Sequence, residues 1–349
     1  MAITATNEAA STWNRNAQRL MQLAGGYMMT AALYTVTKLN IPDLLKDGAR
    51  SVADLAIETG SNEDALYRVM RALVPAGVFE EITPRKFSLP VSSRPLLSEG
   101  PESIRDLVLW LGDSFHFKVW AELPYSVATG TPAVDYIYGK PAFAAINEHP
   151  EVAYDFNTAM TCISKHLAPA VLEAYDFSGI NTLMDIAGGQ GAVLCEVLKQ
   201  YPRMKGILFD MHSVIEEAKC LICSLQMEHR CIPLAGDFFR SIPVGADAYY
   251  MQHIIHDWDD DHALRILKNL RTAMQGYVER KLIVVDCVLP EDSEPHFGKL
   301  VDLEMLLMPG GRERTEREWR ALFAQAGFQI TRIVPTRGAD SVIEARLRG

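Results

Sequence analysis

The stretch TLMDIAGGQGAVLCEVLKQ, residues 182–200, joins an apolar strand to an amphipathic helix through a glycine turn. Such a turn lets the backbone approach a ligand closely and aims amide N–H groups at it. Outward from it, the chain alternates strand and helix. The candidate strands are TLMDIA, GILFD, CIPLAGD, AYYMQHII and KLIVVDCVL, followed by QITRIVPT and SVIEARL. Helical stretches separate the first five, which predicts a parallel sheet covered on both faces. The last two lie close together and predict an antiparallel edge. The fold class is therefore α/β, with a doubly wound, mostly parallel, seven-stranded Rossmann-like sheet.

A sheet of this kind binds ligands outside the carboxyl ends of its strands. Polar residues fall at those ends: Asp185 and AGGQG after the first, Asp210 after the second, Asp237 after the third, His256 and Asp257 after the fourth, and Asp286 within the fifth. Packing alone does not account for that series. A dinucleotide site calls for G-x-G-x-x-G, but counting from Gly189 and Gly191 puts Leu194 in the third glycine position. Asp185 would also sit badly beside a pyrophosphate. An acid there suits a cationic ligand, such as the amino group of a methionine moiety. Asp210 is placed for both hydroxyls of an adenosine ribose, and Asp237 with Phe238 for the adenine. Together these favour S-adenosylmethionine over a nicotinamide cofactor.

The first hundred residues have a different texture, with apolar residues at helical spacing. SVADLAIETGSNEDALYRVMRALVPAGVFEEI reads as helix, turn, helix, strand, and KFSLP supplies a partner strand, which is a winged-helix layout. Three segments follow: 1–100, a winged-helix-like domain; 101–175, a helical connector; and 176–349, the sheet domain. The net charge of −10 argues against a polyanionic partner. In the would-be recognition helix, Arg68 and Arg71 stand against Glu63 and Asp64, which disfavours a transcription regulator.

MAITATNEAASTW lacks the basic and apolar regions of a secretory signal. The apolar run LMQLAGGYMMTAALYTVTKLNI is interrupted by Gln22, Thr30, Thr35 and Lys38, so it reads as a buried or partner-facing helix rather than a membrane span. Six cysteines at irregular spacing indicate reduced thiols and a cytoplasmic location. Cys220 and Cys223, with His229 and Cys231 nearby, raise a zinc site. The better reading puts CLIC on an apolar helix face and starts a strand at Cys231. MQHIIHDWDDDH, residues 251–262, also raises a metal site, with three histidines and four aspartates. His253 and His256 straddle a strand end, however, and Asp259 to Asp261 suit a helix N-terminus. No metal is expected.

LMDIAGGQG, LFD, GDFFRSIPVGADAYYMQHIIHDWDD, DLEML and GGRERTEREWRALFAQAGF resemble the successive motifs of the S-adenosylmethionine-dependent O-methyltransferases. That family includes plant caffeate and isoflavone enzymes and bacterial enzymes of antibiotic biosynthesis. The resemblance implies the methyltransferase form of the sheet, a homodimer built through the N-terminal domain, and a small aromatic acceptor bearing a hydroxyl. It places the general base on His256 and the acids that hold it on Asp286 and Glu313. Cofactor contacts fall on Asp185, the Ala187–Gly188 backbone, Asp210, Asp237, Phe238, Gln252 and Ser164, with Trp258 covering the adenine. Acceptor contacts fall on Met160, Met305, Trp110, Phe156 and Asp257. Three positions depart from the family's pattern. Ala187 replaces a usual glycine and must adopt dihedrals that tolerate a Cβ. Gln252 stands where plant members carry lysine, and Asp286 is often glutamate there. Related chemistry at nitrogen or carbon stays open.

Overall fold

The computed structural model describes residues 14–277 and 279–348. The stretch on which the absence of a signal was read, residues 1–13, lies outside them. The chain forms two compact units, one up to Phe117 and one from Lys118 onward.

In the first unit, helices Val52–Thr59 and Glu63–Leu73 pack over a small antiparallel sheet of β1 (Arg50–Ser51), β2 (Glu80–Thr83) and β3 (Lys86–Ser88), in the order β1-β3-β2. Both helices start where a side chain accepts an orphan amide: Ser51 from Asp54 N–H and Asn62 from Ala65 N–H. Val36, Leu55, Leu66, Met70, Phe79 and Phe87 close the core. This is the expected winged-helix layout. Arg85, on the turn between β2 and β3, binds Glu63 at 2.7 Å and Asp64 at 3.0 Å, which ties the wing to the second helix. The segment before helix Gly26–Lys38 exposes Leu20, Met21 and Leu23, and the helix itself exposes Tyr27 and Met28. No described helix is long and apolar enough to cross a membrane.

The second unit is built on β4 (Thr182–Ile186), β5 (Lys205–Asp210), β6 (Cys231–Ala235), β7 (Ala248–Gln252), β8 (Lys281–Leu289), the short β9 (Arg314–Thr315), β10 (Phe328–Pro335) and β11 (Asp340–Leu347). The main path runs β10-β11-β8-β7-β4-β5-β6, and β9 pairs with β8. Strands β4 to β8 are mutually parallel; β10 and β11 are antiparallel to their neighbours. The central strands are apolar on both faces because helices cover both. One face packs Tyr249, Leu267 and Trp319, the other Val193, Leu208 and Ile215.

Two local expectations need correction. AYYMQHII does not run as strand to Ile255: β7 stops at Gln252 because His253 adopts φ +54, and Ile255–Asp257 follows as a 3-10 turn. On helix His212–Ser224, the cysteines of CLIC do not sit on the apolar face. Ile215, Ala218 and Ile222 are buried, while Cys220 and Cys223, three residues apart, share the exposed side. Among the described residues, no group of three or more His, Cys, Asp or Glu side chains is placed to hold a metal ion.

Candidate active site

The glycine turn follows β4 and leads into helix Ala192–Gln200. Ala187 adopts φ +56, a left-handed conformation, and its N–H donates to the Phe209 carbonyl at 2.7 Å. The expected Cβ-tolerant dihedrals are therefore not what the loop uses; holding the first residue of the turn against β5 costs an L-residue roughly 1–2 kcal/mol. Gly188 is needed for closeness. A Cβ there would lie 2.4 Å from Asp185 Oδ2 and 2.6 Å from Leu208 Cδ1. Asp185 is thus buried directly beneath the loop. Burial, then the charge of Asp210, pushes its pKa up to about 8. Asp210, expected at the ribose hydroxyls of the donor, accepts from Gly189 N–H at 2.9 Å and Met211 N–H at 2.6 Å and so anchors the glycine loop.

Other cofactor candidates gather around this rim. Thr161, on the long helix Pro150–Ala174, donates to Gln190 Oε1 at 3.3 Å and so brings that helix over the glycine loop. Ser164 lies one turn further along it and is half-buried. Asp237 accepts from Phe239 N–H at 2.8 Å, which closes a tight turn after β6. Gln252 accepts from the Tyr250 hydroxyl at 2.5 Å. Trp258 is surrounded by rings: Phe239 edge-on at 4.7 Å, with Phe238 and Phe143 each at 6.2 Å. Phe143 in turn meets Phe156 at 6.2 Å. Among the described residues, the buried Trp258 Nε1 has no hydrogen-bond acceptor.

At the end of β7 the 3-10 turn buries His256, whose ring meets three carboxylates. Its Nδ1 is 2.7 Å from Glu313 Oε1 and 3.6 Å from Asp286 Oδ1; its Nε2 is 3.6 Å from Asp257 Oδ1. Glu313 makes the hydrogen bond, and the shorter Asp286 acts through its charge. Burial pulls the imidazole down, but the Asp286 charge and the Glu313 hydrogen bond and charge outweigh it and raise its pKa to about 10. Asp286 is fully buried, and neither of its oxygens has a hydrogen-bond partner among the described residues. Burial, reinforced by Glu313 against the pull of His256, pushes it up to about 7. Asp257 is raised to about 6, by burial above all.

The turn is held from outside by the segment GGRER. Arg312 N–H donates to the His256 carbonyl at 2.8 Å. A Cβ on Gly311 would lie 1.9 Å from that same oxygen, so only glycine lets the two backbones meet. Arg314, 1% exposed, donates to the carbonyls of Ile255 and Trp258 and binds Asp260 at 2.8 Å. Asp302 accepts from Glu313 N–H at 2.8 Å and fixes the acid from behind. Asp259 caps helix Asp260–Met274 through His262 N–H, as its sequence position implies.

The acceptor candidates are more scattered. Met305 is buried on helix Gly298–Leu307, and Met160 is half-buried on Pro150–Ala174. Trp110 belongs to the first unit, where its ring lies 5.2 Å from His116 and 6.4 Å from Phe115.

Two family models match this chain: an O-methyltransferase domain over residues 120–329 and an O-methyltransferase dimerisation domain over residues 21–99. The chain belongs to the O-methyltransferase family. A phenazine O-methyltransferase of Lysobacter antibioticus is 38% identical, with 94% of this chain and 95% of that protein covered. An 8-amino-8-demethylriboflavin N,N-dimethyltransferase of Streptomyces davaonensis is 36% identical over 95% of each. The crystal structure of human N-acetylserotonin methyltransferase in complex with SAM superposes with a TM-score of 0.87 at 25% identity, covering 95% of this chain and 98% of that one.

The protein is thus an S-adenosylmethionine-dependent methyltransferase, and its dimerisation domain supports a homodimer. The residues present fit the donor: the Gly188 cradle, the carboxylates of Asp210 and Asp237 at successive strand ends, and an unpaired indole N–H inside an aromatic enclosure. Sequence reading missed Thr161, Gln190, Arg314, Asp302 and the pair His253–Asp340. The motif GGRERT already contained Arg314, but nothing local marks an arginine as buried.

Proposed function

We propose that this methyltransferase acts on a hydroxyl of a small aromatic metabolite, phenolic or polyketide-like, without a metal ion, and that His256 removes the acceptor's proton. The observation that carries this reading is the orientation of one ring. Glu313 takes Nδ1 at 2.7 Å and leaves Nε2 for the acceptor, beside Asp257. When bound, the donor supplies an electrophilic methyl group on a positively charged sulfur. His256 takes the proton at Nε2, while Glu313 and Asp286 hold the ring and stabilise the imidazolium. A phenol with a pKa of about 10 is closely matched to a base raised to about 10. Proton transfer between them is then nearly level in free energy.

In this reading Asp185, Ala187, Gly188, Asp210, Asp237, Phe238, Gln252, Ser164 and Trp258 form the donor side. Met160, Met305 and Phe156 form the acceptor side, with Trp110 assigned there by family resemblance alone. The enzyme works in the cytoplasm as a homodimer joined through the first unit, and binds no nucleic acid.

A second reading has a specific motive, the 36% identical relative named as an N,N-dimethyltransferase. An aryl amine also carries a proton that must leave. Incubation with isotope-labelled donor and a panel of phenols and aryl amines, with the methyl position found by mass spectrometry, separates the two. Label on oxygen is expected; label on nitrogen alone would overturn the proposal.

A further inference from the structure

His256 is not the only imidazole in its cluster. His253 stacks on it, with ring centroids 5.1 Å apart and planes 22° from parallel. The stack has a backbone cause: His253 ends β7 at φ +54, while its N–H still bonds to Val285 on β8 at 3.0 Å. A non-glycine residue in that conformation costs of order 1 kcal/mol and persists only where its surroundings fix it. Here the fixing group is Asp340, from the final strand β11, whose Oδ2 lies 3.2 Å from His253 Nε2. Asp340 also lines an open hollow of about 710 Å³, shared with Glu291, His296 and Arg317. The His253 side chain is 26% exposed against 8% for His256.

We propose that His253, held by Asp340, is a positioning residue that sets a second positive charge against the His256 ring and so weakens that ring's hold on a proton. The charges facing the pair come from several elements. Asp286 from β8, Glu313 from the segment before β9 and Asp257 from the turn itself face His256. Asp340 and Asp286 face His253, the Tyr250 phenol of β7 lies near both acids, and His296 lies beyond Asp340. Three carboxylates around His256 hold its proton tightly, and a positive charge on the stacked His253 works against that hold. Burial, and after it the charge of His256, work against a charge on His253, but Asp340, helped by Asp286, outweighs them and raises its pKa; Asp340 is itself lowered by that partner, against its burial. Two unit charges about 5 Å apart, at an effective dielectric constant of roughly 20–40, shift a pKa by roughly one to two units.

The inference rests on His256 as the base, and its test separates the two ideas. Imidazole 15N NMR of the full-length enzyme reads the protonation of each ring directly, and the pH–rate profile reads catalysis. In the unmodified protein, His253 is expected to be charged at pH 7. In His253→Gln and Asp340→Asn, the neutral His256 signal between about pH 8 and 10 should fall by roughly tenfold or more. The rising limb of the rate profile should move up by one to two units. His253→Arg should restore both. A His253 ring that is neutral at pH 7 in the unmodified protein overturns the inference even if no variant folds. So does an unmoved His256 titration, or a uniform loss of rate at every pH. A moved titration with an unmoved rate profile upholds the coupling and instead removes His256 as the base.

Discussion

Nδ1 of His256 lies 2.7 Å from Oε1 of Glu313, a residue 57 positions later, with both side chains buried. In the proposed mechanism that hydrogen bond orients the ring as the base. His256→Ala should lower turnover by roughly 10²–10⁴-fold, the usual range for a lost general base. Donor affinity, read by calorimetry, should change little. Turnover within a few-fold of normal would remove His256 from the mechanism.

The pH dependence has a definite sign. The folded pKa of His256 is raised to about 10, so the neutral, proton-accepting ring grows as pH climbs from neutrality toward that value. Initial rates should rise over this range. Glu313→Gln removes a group that raises the pKa, so its limb should begin at lower pH while its maximum rate falls. The same shift bears on stability: the contribution of His256 is fully present below about 6.5, its unfolded value, and is lost as pH rises through about 10.

Adjacent positions in the glycine turn should respond oppositely to small substitutions. Ala187 sits at φ +56. Glycine there removes strain but adds freedom to the unfolded chain, for a net gain of up to about 1 kcal/mol. Thermal unfolding of Ala187→Gly should shift upward by a degree or more. Gly188→Ala drives a methyl group to 2.4 Å from Asp185; it should lower the melting temperature and weaken donor binding together.

Arg314 carries the turn that presents His256. Its bonds to the Ile255 and Trp258 carbonyls and to Asp260 leave several acceptors unmet when it is removed. Asp260 is largely exposed, which discounts the ion pair, and the carbonyl bonds and packing dominate. Arg314→Met should cost about 2–3 kcal/mol in denaturant unfolding. It should reduce kcat more than donor affinity.

A chelator should leave turnover unchanged, because in the proposed mechanism His256 takes the acceptor's proton without a metal ion. Loss of activity restored by added metal would count against a proton-transfer mechanism built on His256 alone.

Local sequence pattern suffices to mark the sheet, the order of strand and helix, and the rim on which polar residues collect. Strand periodicity and glycine turns are local properties, so Asp185, Asp210, Asp237 and His256 could be placed at strand ends without coordinates. It also located Asp259 as a helix cap, since capping acts over three residues. Which groups meet depends on packing between distant segments. Glu313 rather than Asp286 bonds to His256, because the GGRER segment packs onto the turn at Gly311 and brings the longer side chain to Nδ1. His253, which reads locally as an ordinary strand-end residue, joins Asp340 only because antiparallel β11 lies beside β8. Such contacts depend on how distant segments pack and on the dihedrals that packing enforces, and no window of neighbouring residues encodes either one.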